Sequence, residues 1–122
     1  TEVWQNGKRF GKPADEVSAR EMLIALSGTA HEVISGLTLV TTDNHTPLLT
    51  TETSVVTVYF SEIPDWAIDH YINHYKPFDK AGAYGIQEWI GAGFIDRIEG
   101  NYNSVVGLDT AALFRLLLPF RK

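Results

Sequence analysis

Hydrophobic and polar positions along this chain change period several times, and each change marks an element. Val3-Trp4-Gln5-Asn6-Gly7-Lys8-Arg9-Phe10 reads as a β-hairpin, because Asn6-Gly7 supplies the positive φ angles of a tight two-residue turn. Gly11-Lys12-Pro13 is then a loop, with Pro13 breaking the strand. Ala19, Met22, Leu23 and Leu26 recur at i, i+3, i+4 and i+7, one buried face of a helix. Asp15 and Glu16 put negative charge at the positive end of its dipole, and Ser27-Gly28 stops it. His31–Thr42 alternates as a strand, with Val33, Leu37 and Leu39 on one face and Ile34 and Val40 on the other. Asp43–Pro47 spells a turn, and Leu48–Phe60 is a long β-branched strand, strongest over Val55–Phe60.

Pro64 sits near the first position of a second helix, whose apolar stripe is Ile68, Tyr71, Ile72 and Tyr75. Lys76–Gly85 is a loop. Ile86–Ile90 and Gly93–Ile98 have the pattern of two short strands joined near Gly91, and Glu99–Leu108 that of a loop carrying Gly100 and Gly107. Asp109 or Thr110 caps a last helix, expected to be buried through Leu113, Leu116 and Leu117. The order β-β-α-β-β-α-β-β-α predicts an α/β fold, a mixed sheet with flanking helices. With no repeat, low-complexity tract or linker, residues 1–122 read as one domain.

Composition narrows the function. The chain has 15 acidic and 10 basic side chains, so its net charge of −5 argues against non-specific nucleic-acid binding, which needs surplus Lys and Arg. No apolar run reaches the roughly 18–20 residues of a membrane span, the longest (Ala111–Phe120) being broken by Arg115. Cysteine is absent, which excludes a thiolate metal site and a cysteine nucleophile and fits a reducing cytoplasm. The chain opens at Thr1 without methionine, only two residues before the strand-like Val3-Trp4, so a fragment of a longer protein is expected.

Candidate chemistry is unevenly spread. His70 and His74 are four apart on a helix, but Tyr71 stands where a zincin motif has Glu and no third ligand is evident, so they read as an ordinary surface face. His31 and His45 read as solvated. Gly11-Lys12-Pro13 lacks the upstream glycine and following Ser or Thr of a nucleotide-binding P-loop. Asp79-Lys80-Ala81-Gly82-Ala83-Tyr84-Gly85-Ile86-Gln87 is more telling. Its small residues let backbone N–H groups approach an anion, Lys80 adds a cation, and the Gln87 amide can read the edge of a planar base. Glu99, beside Gly100, could ligate a metal or pair with a lysine; the plainer reading is a surface carboxylate.

Together these segments resemble the Maf family of nucleoside-triphosphate pyrophosphatases. The resemblance runs along essentially the whole chain. It rests on Gly11-Lys12-Pro13 with Asp15, Leu26-Ser27-Gly28 with His31-Glu32-Val33, Asp79 through Gln87, and Ile98-Glu99-Gly100 with Val105-Val106-Gly107-Leu108. The Lys80–Gln87 string is similar to that of the branch acting on dTTP and UTP. What the resemblance implies is a two-lobed fold like that of inosine triphosphatases, incomplete here, and hydrolysis between the α and β phosphates assisted by Mg²⁺ or Mn²⁺. It implies substrate-binding roles for Thr1, Lys12 and Gln87, with Lys80 and Glu99 in shared motifs, and a homodimer.

The family's catalytic aspartate would lie immediately before Thr1, so the expectation is a domain truncated at its N-terminus and inactive alone. Glu88-Trp89 stands where the family usually has Gly after Gln87, which reshapes the rim of the pocket. Two alternatives stand beside this reading. One is a non-catalytic nucleotide-binding regulator of septum formation. The other is an interaction module presenting Trp4, Trp66 or Trp89.

Overall fold

A computed structural model of the chain describes residues 1–43 and 45–120. Five strands form one sheet in the order β2-β1-β3-β4-β5: β1 (Glu2–Gln5), β2 (Lys8–Phe10), β3 (Ala30–Asp43), β4 (Thr46–Phe60) and β5 (Ile95–Glu99). The α/β architecture is the expected one, and the sheet is antiparallel in every pairing among the described residues. Asn6 and Gly7 take φ of 51° and 76°, the left-handed pair that closes β1 onto β2. Residue 44, inside the turn expected at 43–47, lies outside the described residues; the strands on either side of it reach Asp43 and Thr46.

Register decides which face is core. Phe10, Val3, Val33 and Val56 oppose one another across four strands, and all four are buried. The next row on that face carries His31, Val58 and Ile98. Two helices cover it. α1 (Glu16–Leu26) buries Ala19, Leu23 and Leu26, while α2 (Asp65–Tyr75) buries Ala67, Ile68, Tyr71 and Ile72. The Asp15 carboxylate caps α1 by accepting the Ser18 N–H at 2.8 Å. Arg20 ties the two helices together by pairing with Asp65 and Asp69. Trp4, Glu32, Thr57 and Glu99 occupy the opposite face of the sheet, in register with one another. Among the described residues no helix is long and apolar enough to cross a membrane.

Four expectations need correction. Ile86–Ile90 and Gly93–Ile98 are not two strands: α3 (Trp89–Phe94) lies between, and only Ile95–Glu99 joins the sheet. Burial outweighs propensity there, because Ile90 is fully buried and the chain folds so tightly that a methyl on Gly91 would overlap the Ile86 carbonyl oxygen. The loop expected from Glu99 to Leu108 contains α4 (Tyr102–Val106), whose N-terminus is capped by the Asn101 side chain accepting the Ser104 N–H at 2.9 Å.

The last helix, α5 (Thr110–Leu117), is capped by Asp109 as expected, but it buries Ala112. Leu113 and Leu116 are half-buried and Leu117 is exposed, since α5 rests on one side of the long β3–β4 arm. Arg115 anchors α5 to that arm through Glu52 at 3.0 Å, and Ser54 donates to Asp109. The Ser54 hydroxyl and the Ala112 N–H hold the Asp109 carboxyl below its ordinary pKa.

His31 is the fourth correction. It is 2% exposed, not solvated, because its place in the alternation of β3 is the core face. Its Nε2 lies 2.6 Å from the Tyr84 hydroxyl, its ring stacks on Phe60, and its Nδ1 has no partner. Burial therefore favours the neutral ring and lowers its pKa from 6.5 to about 4.

Two measurements follow from this packing. Gly91→Ala should destabilise the fold by about 1–3 kcal/mol, read as a lower urea midpoint at unchanged slope. The unfolded chain takes up a proton at His31 below about pH 6.5, which the native state refuses until about pH 4. Stability should thus fall as pH drops through that window, by on the order of 3 kcal/mol, and His31→Leu should remove this part of the slope in urea titrations at each pH.

Candidate functional site

Two loops, the end of α4 and the residue leading into β1 converge beside the buried row of Val3 and Val33. Lys76, at φ 50°, ends α2 in the left-handed region and turns the chain into Pro77, which is buried. Two single-turn 3₁₀ segments follow, Pro77–Asp79 and Ala81–Ala83. Gly82 and Ala83 both have positive φ, 71° and 64°, so the backbone reverses in two residues. Gly82 donates its N–H to the Gly11 carbonyl at 3.1 Å. That bond lays the Lys80–Gln87 segment alongside Gly11-Lys12-Pro13, and packing is tight enough that a methyl on Gly82 would come within 3.2 Å of Val3.

The result is a partly open cavity of about 290 Å³. Thr1, Lys12, Lys80 and Gln87, four of the five residues singled out in the sequence, line it together, with Asp79 on the same wall. Thr1 is fastened by its hydroxyl to Ser35 at 2.9 Å. Ser35 spends its own proton on the Ser104 carbonyl at 2.9 Å, so Thr1 is the donor. Lys12 and Gln87 are exposed, free to reach a ligand, and Lys12 has no ion pair among the described residues. Lys80 is more sheltered, its ammonium 3.4 Å from Asp79 and 3.5 Å from Glu88.

Glu99 lies elsewhere. Alternation along β5 sends it to the opposite face of the sheet, where it accepts from Arg97 at 2.7 Å and from the Tyr59 hydroxyl at 3.3 Å. His70 and His74 stack with ring centroids 4.2 Å apart, and His74 Nδ1 is 2.8 Å from the His70 carbonyl. Trp66 is exposed, while Trp4 and Trp89 are half-buried. Among the described residues no group of three or more His, Asp or Glu is placed to hold a metal ion. Asp79 is the cavity's only lining carboxylate among them, so the chain offers a cation one oxygen donor group and no cage.

Two tyrosines at the cavity were given no role of their own from the sequence. Tyr71 counted only as part of an apolar stripe, yet its hydroxyl accepts the Gly85 N–H and donates to Glu88 Oε1, both at 3.1 Å. Tyr84 packs edge-on against Phe60 and meets His31 through its hydroxyl. Burial pushes the pKa of both phenols up, so they act as fixed neutral hydrogen-bonding groups. The available signal was a tyrosine, not a phenylalanine, at a core position, since a buried hydroxyl needs a partner. Such a wall can present two cations and a planar amide to a compact polyanion bearing a planar base.

Comparison with known proteins points the same way. The chain is 46% identical over 114 residues to a dTTP/UTP pyrophosphatase of Phocaeicola vulgatus, covering 93% of this chain and 57% of that protein. It is 44% identical over 117 residues to the enzyme of that name from Christiangramia forsetii, covering 96% and 58%. The corresponding protein of Clostridium perfringens is 45% identical over 117 residues, covering 96% and 59%. The chain thus spans a little under three-fifths of the length of these curated relatives. The family model described as Maf-like protein matches residues 1–120, and the chain belongs to that family.

Proposed function

We propose that the cavity receives a pyrimidine nucleoside triphosphate and that the protein, at the length of its relatives, hydrolyses dTTP and UTP to the monophosphate and pyrophosphate. The observation that carries this reading is the meeting of Lys12, Lys80, Gln87 and Thr1 at one cavity. The relatives' printed names supply the substrates. Lys12 and Lys80 would neutralise phosphate oxygens as charge builds on them. Gln87 would donate to O4 and accept from N3–H of uracil or thymine, a pattern that adenine and cytosine do not offer. Thr1, held by Ser35, would border the base pocket. Glu99, on the far face of the sheet, has no contact with substrate in this reading.

In the reaction, water attacks the α-phosphorus and the α–β bridging P–O bond breaks. Pyrophosphate leaves, and the water's proton passes to a base, assigned to the aspartate expected upstream of Thr1. Mg²⁺ or Mn²⁺ would arrive on the triphosphate and need little from the chain beyond Asp79. On this reading we assign the activity to the cytoplasm, where free nucleotides are found. Nothing in the cavity favours the non-catalytic regulator over this reading.

The test is pyrophosphate release from UTP, dTTP, GTP and ATP with Mg²⁺, by this chain and by a form extended upstream to the relatives' length. UTP and dTTP should be turned over by the extended form, with Lys12→Ala lowering kcat/KM at least about tenfold. Gln87→Glu should cost about tenfold or more with UTP, because an acceptor then faces O4. No turnover by a folded extended form would sink the enzymatic reading.

A further inference from the structure

Lys80 does not face its cavity unopposed. Glu88 lies outside the lining, yet its Oε1 stands 3.5 Å from the Lys80 ammonium. The same oxygen accepts the Tyr71 hydroxyl at 3.1 Å, and that hydroxyl accepts the Gly85 N–H at 3.1 Å. Glu88 is thus seated by a relay that begins in the backbone of the binding loop, and its side chain is only 20% exposed. Asp79, by contrast, is 76% exposed and free to turn into water. Gly85 makes room for the arrangement, since a Cβ there would lie 2.5 Å from Glu88 Oε1 and 2.8 Å from Lys80 Cε. Around the cavity, two lysines are set against two carboxylates, Asp79 on the lining and Glu88 just outside it, so most of the positive charge offered to a triphosphate is already countered.

Resting on the reading of the cavity as a triphosphate site, we propose that Glu88 is a positioning residue: a built-in counter-ion that restrains Lys80 and sets how tightly the site holds polyanionic nucleotides. A triphosphate draws Lys80 away from Glu88, and part of the attraction it gains replaces one already made. The effect depends on the ligand's charge. A monophosphate product, with fewer charges, recovers less from the same lysine, so Glu88 lowers affinity for the triphosphate more than for the product.

The experiment is calorimetric titration of UTP and of UMP into this chain and into Glu88→Gln, which keeps an oxygen for Tyr71 and removes the charge. Equal melting temperatures of the two proteins check that the scaffold is kept. Glu88→Gln should lower the Kd for UTP by about three- to tenfold and that for UMP by less than twofold, the UTP gain shrinking with added salt. In a Lys80→Gln background the same substitution should change the UTP Kd by less than twofold, because Glu88 acts through Lys80. UTP binding that Glu88→Gln leaves unchanged or weakens overturns this inference and leaves the site reading standing. A folded wild-type chain that binds neither nucleotide overturns both.

Discussion

Gly85 gives its backbone N–H to the hydroxyl of a buried tyrosine, not to another stretch of main chain. A buried N–H without a partner costs more than a typical hydrogen bond returns, so the loop's position and the Tyr71 rotamer are fixed by one bond. Tyr71 belongs to α2, and α2 is held to α1 and the sheet by the core. The loop that carries Lys80 and Gln87 is therefore set by helix packing several residues away in space. A second tether, from Tyr84 to His31 on β3, fixes the same loop to the sheet. With Gly82 bonded to Gly11, the segment is held on three sides by elements that are themselves rigid.

This mooring is what would let an acidic chain present the polyanion site proposed above. Net charge of −5 does not stop binding if the few cations near the ligand are placed by structure. Lys12 stands on a loop closed off by the buried Pro13, and Lys80 sits where extended backbone leaves one 3₁₀ turn and enters the next. Neither relies on a surrounding basic patch. On that proposal, selectivity among anions would come from how far apart the two ammonium groups stand and what else borders them, a more discriminating device than bulk charge.

Much of this was legible in the chain because the signals were local. Asn6-Gly7 announces its turn by backbone chemistry alone, and Ala19, Leu23 and Leu26 announce a helical face by spacing. α3 was not legible, because Ile86, Ile90 and Ile95 carry β-branched signals while Gly91 obeys a close contact that only the folded chain creates. α4 had its Asn101 cap in plain view, hidden by the glycines on either side. The site divides likewise. Lys80 and Gln87 stand in one conspicuous string, and Lys12 and Thr1 entered through the family resemblance. What brings them together is the Gly82–Gly11 bond, a long-range contact no spacing encodes. His31 was misread because polar residues are usually outside, and nothing in one sequence tells which face of a strand will be covered.

Ala83 shows how little freedom this geometry leaves to sequence change. Its φ of 64° is a conformation that glycine adopts without strain, whereas its methyl group is completely buried in the core. The backbone asks for one residue and the packing for another. Glycine would relax the turn and open a hole behind it; anything larger than alanine would fill the space and strain the turn further. Position 83 is thus confined to a single methyl group by two opposed demands, so adaptation of the proposed site to a new ligand would have to come from the exposed rim, where Gln87 can vary without disturbing what lies beneath.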